Sequence, residues 1–512
     1  MSAVNPYTVW LAVAYFILIL AIGFYAGKKT TNMGMYMVGG RSLGIWVTSL
    51  GIMAAVMSGW TWLGGPGGSY NAGYAYYVQI LSVAYIGVVI CYYILAKPIR
   101  IISARTGAYT LPDLLAARFN ESRGVRGLSA LIILIGCMCY LVTQWASMGV
   151  MVSSALGLSY IPSVLIGAVV ISAYVIAGGM LASMWTNFIQ MLIMFLMAIW
   201  IIWDSMYRVG GFTEMNLALA TINPEFVEPW WKEGRWVMTY VLSYSLFITG
   251  IAYGGQPAAN TKFIMIKDHQ TLRWSALITV VCYIIGTFVF VVGLAGRVLV
   301  EKGAMAAPSS PDQILPAMIN YMYSPLVGAL VIVAVLAAVM STAETYLFTS
   351  AAGLVRDLWV RSLGNKMSEQ KQLFWIRVIM TVVTVSTVII SLKPPALIAV
   401  LGAQAFATFC SGFGPVMYLA FRWKKVNSTA AIWGMSTGLL MGGLLPILNS
   451  AFFDNSIMKG WTIGGVAAVA AWVVVIVVTL ATKGKEPVSK VFDKDYQVDT
   501  SNEEDSLVAS KA

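Results

Sequence analysis

The run Gly51-Ile52-Met53-Ala54-Ala55-Val56-Met57-Ser58-Gly59-Trp60, followed at once by Gly64-Gly65-Pro66-Gly67-Gly68, breaks an otherwise apolar stretch. A second break, Gly250-Ile251-Ala252-Tyr253-Gly254-Gly255-Gln256-Pro257, recurs much later in the chain. Glycine in a lipid-embedded helix often only permits close packing. These two breaks, however, fall in the first helices of two five-span blocks, spans two to six and seven to eleven. Interrupted helices at matching positions of two halves point to a site at the membrane midplane, where backbone carbonyls or helix N-termini are freed for an ion or an anionic group.

The spans follow from composition. The chain has 512 residues, of which 59% are hydrophobic and 10% charged, too little charge for a soluble surface of this size. Apolar stretches of sufficient length predict thirteen membrane helices, near 8–26, 44–63, 75–96, 128–152, 159–178, 187–207, 237–258, 274–297, 325–350, 373–392, 395–421, 429–450 and 461–482. The expected architecture is an all-α membrane protein with one transmembrane domain over 1–482 and core repeats at about 44–207 and 237–421. A polar tail, 483–512, is expected to be disordered and cytoplasmic. No basic residue precedes the first span, so it is expected to be retained rather than cleaved. Thr110-Leu111-Pro112-Asp113-Leu114-Leu115-Ala116-Ala117-Arg118-Phe119 reads as a short amphipathic segment on the inner face, with Thr110 as N-cap and Pro112 in the first turn.

The net charge of +11 would suit nucleic acid, but its distribution argues against that partner. With the N-terminus outside, 25 of the 32 basic residues fall in inner loops or the tail, the positive-inside pattern of a plasma (inner) membrane protein. One such loop is assigned Lys262, Lys267 and Arg273. All five cysteines lie within spans, as small core residues rather than a disulfide framework.

The ninth span contains Ala337-Ala338-Val339-Met340-Ser341-Thr342-Ala343-Glu344-Thr345. A carboxylate at the bilayer midplane costs at least about 2.5 kcal/mol and calls for a partner. With hydroxyls beside it, the segment is rich in the oxygen ligands that hard cations prefer.

At this point the chain resembles the solute:sodium symporter family, most closely its sodium/proline branch. The resemblance rests on GGRSLG (39–44), MSGW (57–60), TLPDLLAARF (110–119), GGMLASMWTNFIQ (178–190), YGGQP (253–257), LAAVMST (336–342) and FGPVMYLAFRW (413–423), in register from about 8 to 482. It implies the leucine-transporter-like 5+5 inverted-repeat fold with extra terminal helices. It also implies a co-transported sodium ion held by the carbonyls of Ala54, Met57 and Ala338 and the hydroxyls of Ser341 and Thr342. Five neutral oxygens suit a monovalent cation; the hydroxyls could equally bond back to carbonyls one turn earlier.

Two departures stand out. Proline-type relatives carry an aspartate where this chain has Val56, and many members carry one where it has Asn187. Glu344 replaces a usual small hydroxyl residue. A carboxylate transferred from the sixth span to the ninth would form a second cation or proton site from Asn187, Ser341, Glu344 and Thr345; a purely structural carboxyl is the alternative. The solute is expected near Ser58, Gly59, Trp60, Tyr140, Gln144, Thr249, Tyr253 and Gln256. Thr249 stands where relatives have tryptophan, so the pocket is expected to be wider or more polar.

The reading is a sodium-coupled secondary symporter that imports a small polar organic solute, an amino acid or small carboxylate, and works as a monomer. The alternative is a proton-coupled or sodium-independent carrier; a transporter-derived sensor is weaker, because no signalling domain is evident. No zinc, nucleophile-elbow or Walker signature is present, so neither an enzyme nor an ATP-driven pump is expected.

Overall fold

The computed structural model describes residues 6–29, 32–77, 86–228, 231–232, 235–236, 251–394, 398–452, 460–483 and 486–487. Among them the fold is helical apart from a two-residue hairpin pairing Trp231–Lys232 with Arg235–Trp236. Among the described residues nine helices are long and apolar enough to cross a membrane, or ten when the bent pair Ile45–Val56 and Trp60–Ala72 is one span. Of the other expected spans, 75–96 and 237–258 include residues outside the described set, and the fifth appears as a shorter apolar helix, Tyr160–Ile176.

Burial sorts the helices. Every residue of the ninth span from Val331 to Ala352 is buried, so this helix is the axis of the bundle. The tenth, Glu369–Ser391, instead exposes Phe374, Val382, Val385 and Ile389, and the first, Pro6–Lys29, exposes Trp10, Ile17 and Phe24. Apolar side chains facing outward in such rows are suited to acyl chains rather than water. Helix Tyr160–Val209 carries the fifth and sixth spans in one run interrupted at Gly179 (φ 61, ψ −158). A Cβ there would fall 2.5 Å from the Tyr36 ring, so only glycine fits both the positive φ and the contact. The polypeptide thereby turns the sixth span onto the ninth, against which it packs.

The segment 110–119 forms helix Leu111–Arg118, with the Thr110 hydroxyl accepting from the Asp113 amide at 3.1 Å. It is buried, not laid on the surface as an amphipathic segment would be: Leu111, Leu114, Leu115 and Asp113 are all enclosed. The reason is electrostatic. The Asp113 carboxylate lies 3.5 Å from Arg126 Nε, 3.3 Å from Arg356 Nη2 and 3.7 Å from Arg361 Nη1, tying this helix to the fourth span and the C-terminal end of the ninth. Thr110 Oγ1 also donates to Asp357 at 2.9 Å.

The charge assignment needs one correction. Lys262 is not an inner-loop residue; it lies on helix Pro257–Phe263, the second half of the broken seventh span, and is 0% exposed. Its neighbours Lys267 and Arg273 suggested a loop because the helix is only two turns long and ends at once in the Asp268-capped start of His269–Thr287. The backbone at Ile266 pairs in parallel with Leu43, so the start of the second span and the end of the seventh are joined.

Asp312 sits in the short turn Pro311–Gln313 and accepts from the Ile398 amide at 3.1 Å, holding the loop on the start of the eleventh span. Burial pushes this carboxyl up to about 6, partly opposed by the Ile398 hydrogen bond. A raised acid binds its proton more tightly when folded, so this contribution to stability is complete below the ordinary carboxylate range and is lost as pH rises through about 6. We expect the thermal midpoint of purified protein to fall between pH 4 and pH 7, and Asp312→Asn to flatten that slope. An unchanged slope in Asp312→Asn would assign the pH dependence to other groups.

Candidate ion and solute site

The site is built where the second span stops being helical. Helix Ile45–Val56 ends at Met57, whose ψ of 96 turns the backbone away, and a second helical segment resumes through Trp60–Gly64 and Gly65–Ala72 at a bend of 56°. Gly59 sits at this turn with Ser147 and Val339 pressed against its Cα, leaving no room for a side chain. The seventh span breaks likewise: a 3-10 turn, Ile251–Gly255, gives way at Gln256 (ψ 113) to Pro257–Phe263. Proline at the first helical position forfeits no hydrogen bond.

The ninth span closes on the first break. Ser341 Oγ lies 2.9 Å from the Ala54 carbonyl and 3.0 Å from that of Ala338, so it gathers three of the five expected sodium oxygens. Thr342 Oγ1, the fourth, is buried and has no hydrogen-bond partner among the described residues. A buried hydroxyl left unpaired costs about 1–3 kcal/mol, which a cation at this point would recover. Met57, expected to give the fifth oxygen, is the residue at which the helix ends.

Beside these oxygens lies a buried cluster of mixed polarity. Ser58 Oγ and Tyr140 Oη are 2.8 Å apart, and the Gly59 amide donates to Gln144 Oε1 at 3.0 Å. Trp60 packs on Phe406 with ring centroids 5.4 Å apart, and Tyr253 stacks on the same ring at 6.4 Å. Gln256 Oε1 accepts from Tyr346 Oη at 2.9 Å. The amide nitrogens of Gln144 and Gln256 are buried without partners among the described residues, which leaves two aimed donors. The structure thus brings Ser58, Gly59, Trp60, Tyr140, Gln144, Tyr253 and Gln256 together; Thr249 lies outside the described residues. Sequence reasoning missed Tyr346, whose ring lies tilted against Tyr140 at 4.6 Å, and Phe406, the ring shared by Trp60, Tyr140 and Tyr253. Tyr346 sits one turn beyond Thr342, a spacing that could have found it; Phe406 had no signal.

Glu344 faces the sixth span. Its carboxylate accepts from Ser183 Oγ at 2.7 Å and from Thr186 Oγ1 at 3.2 and 3.3 Å. Asn187 joins through Ser183 at 3.4 Å, while Ser341 turns towards Ala54 and Thr345 back-bonds to the Ser341 carbonyl at 3.1 Å. Of the four residues expected in a second site, the structure therefore links Glu344 and Asn187 through Ser183, and directs the hydroxyls of Ser341 and Thr345 elsewhere.

The family model described as the sodium:solute symporter family matches residues 36–438. The chain belongs to that family. It is 33% identical over 438 residues to the osmoregulated proline transporter OpuE of Bacillus subtilis, covering 85% of this chain and 87% of that protein. It is 30% identical to a sodium/proline symporter of Staphylococcus aureus, over 85% of each. Among solved structures, a Na+-coupled sialic acid symporter in a substrate-bound outward-open state superposes with a TM-score of 0.75 at 16% identity, covering 93% of this chain and 97% of that one. Mhp1, a nucleobase-cation-symport-1 family transporter in a closed conformation, gives 0.53 at 12% identity, covering 90% and 98%. These two likenesses bear on the fold. As a member of the sodium:solute symporter family the chain is a multi-pass membrane transporter of a small solute, not an enzyme.

Proposed function

We propose that this chain is a sodium-coupled symporter importing a small polar organic solute by alternating access, with an amino acid of the proline class as the first candidate. The observation that carries the reading is the junction of Ser341 with the Ala54 and Ala338 carbonyls beside the unpartnered Thr342 hydroxyl. Sodium, as cargo, would take oxygens from Ala54, Met57, Ala338, Ser341 and Thr342, and the solute would lie among Tyr140, Gln144, Tyr253 and Gln256. Proline enters because of the curated relatives. Inward sodium flux would supply about 2.3 kcal/mol per charge for each 100 mV.

The transport unit is residues 1–482 in one chain acting as a monomer, with core repeats at about 44–207 and 237–421 and a tail at 483–512. Radiolabelled proline uptake into proteoliposomes tests the function. An inward sodium gradient should accumulate label and an equal potassium gradient should not; identical uptake in the two would refute sodium coupling.

In the inner membrane the N-terminus lies outside and the C-terminus in the cytoplasm, as the distribution of basic residues supports even with Lys262 removed from the loops. Single cysteines placed at 305 and 500 in a cysteine-free background should differ in intact cells: the first should react with an impermeant thiol reagent and the second should resist it. The reverse pattern would invert the topology.

A further inference from the structure

Lys262 and Glu344 are the two charged side chains that the ion and solute pockets leave unexplained. Both are 0% exposed. Lys262 Nζ donates to Ser183 Oγ at 3.4 Å and lies 3.7 Å from Met180 Sδ. That same Ser183 hydroxyl donates to Glu344 Oε1 at 2.7 Å, so one hydroxyl separates ammonium from carboxylate. Thr186 completes the oxygen shell on the carboxylate, and the Tyr174 hydroxyl adjoins it while donating to the Met340 carbonyl at 3.2 Å. Among the described residues, Glu344 is the charged group that acts on Lys262, and Lys262 the one that acts on Glu344.

A carboxylate ringed by hydroxyls is the donor set a hard cation seeks. Here a cation is already present, tethered to the second half of the seventh span. The ammonium and the carboxylate cancel, so the cluster is neutral as it stands. A sodium ion entering beside Glu344 would add a second positive charge against a single carboxylate, in an interior where like charges repel strongly. An ammonium also presents three donors and no acceptor, so it can satisfy the Ser183 oxygen but cannot ligate a metal.

We propose that Lys262 is a built-in cation that fills the Glu344 pocket, so that this symporter binds one sodium ion, at Ser341 and Thr342, and excludes a second. The same contact holds helix Pro257–Phe263 against the sixth and ninth spans, so exclusion of the ion and closure of that half-helix share one side chain. The inference rests on the sodium site proposed above.

The test is the count of sodium ions bound by the purified full-length protein, measured with 22Na+ and free of any assumption about the solute. Wild type should bind one sodium per chain. Lys262→Met keeps most of the side-chain length and removes the charge; it should bind two. Adding Glu344→Gln to that variant should return the count to one, and Lys262→Arg alone should leave it at one. Two ions in wild type, or one in a folded Lys262→Met, would overturn the inference while leaving the sodium site intact. No sodium bound by wild type would overturn the site itself and the inference with it. Should Lys262→Met fail to fold, Lys262→Gln gives the same reading, and two ions in wild type overturn the inference in either case.

Discussion

The double variant Ser341→Ala, Thr342→Ala is expected to require at least about tenfold more sodium for half-maximal proline uptake, a loss of roughly 1.4 kcal/mol or more in ion binding. The two hydroxyls supply two of five proposed ligands, and their removal also leaves the Ala54 carbonyl without the donor that Ser341 provides. Sodium affinity should fall while the chain is still made and inserted, and the detergent-phase thermal midpoint should fall modestly with it, because the buried Ala54 carbonyl loses its donor. Thr342→Ser should recover most of the affinity, since it restores the oxygen without the methyl group. A double variant with an unchanged sodium requirement would move the ion elsewhere.

Asp113→Asn is expected to have the largest effect on stability. Its carboxylate faces Arg126, Arg356 and Arg361 within 3.7 Å and is almost wholly buried, at 3% exposed. Removing one partner of a buried ion cluster strands the others and costs about 3–5 kcal/mol. Arg361 is the most exposed of the three guanidinium groups and keeps its water, and Arg126 keeps its ion pair with Glu121, so the cost falls chiefly on Arg356. The thermal midpoint in detergent should drop by more than about 5 °C. A double change to Asp113→Asn with Arg356→Gln should be less damaging than the sum of the two single changes, because the second removes a charge that the first has stranded. Purely additive losses would mean that the pair is not coupled.

How much of this was visible in the chain depends on distance along it. The breaks at Met57 and Gln256 were legible because glycine and proline announce them locally, and the neighbouring Ser58, Gly59 and Gln256 came with them. Ser341 and Thr342 were found because hydroxyls stand out in an apolar helix. The partners of Glu344 were not legible: nothing at position 344 signals that Ser183, 161 residues away, will supply its hydrogen bond. Lys262 was misplaced for a related reason. A basic residue close to Lys267 and Arg273 has the composition of a loop, and only the packing of a two-turn helix against the sixth span shows that it points inward. The Asp113 cluster was hidden in the same way, since Arg356 lies 243 residues from it. Phe406 is one aromatic in an apolar span, where periodicity cannot separate a shared pocket ring from ordinary packing.

The hydrogen bond from Ser341 to the Ala54 carbonyl spans 287 positions, and that separation bears on how the protein is made. The ribosome delivers the second span to the bilayer long before the ninth exists. In hydrocarbon a carbonyl freed at a helix break has nothing to accept from, at a cost of several kcal/mol. Until Ser341 emerges, the nascent first half must keep the Ala54 region hydrated or straight. A chain truncated after residue 320 should therefore be inserted but immature, sensitive to membrane proteases, and rescued when residues 321–512 are supplied as a separate fragment.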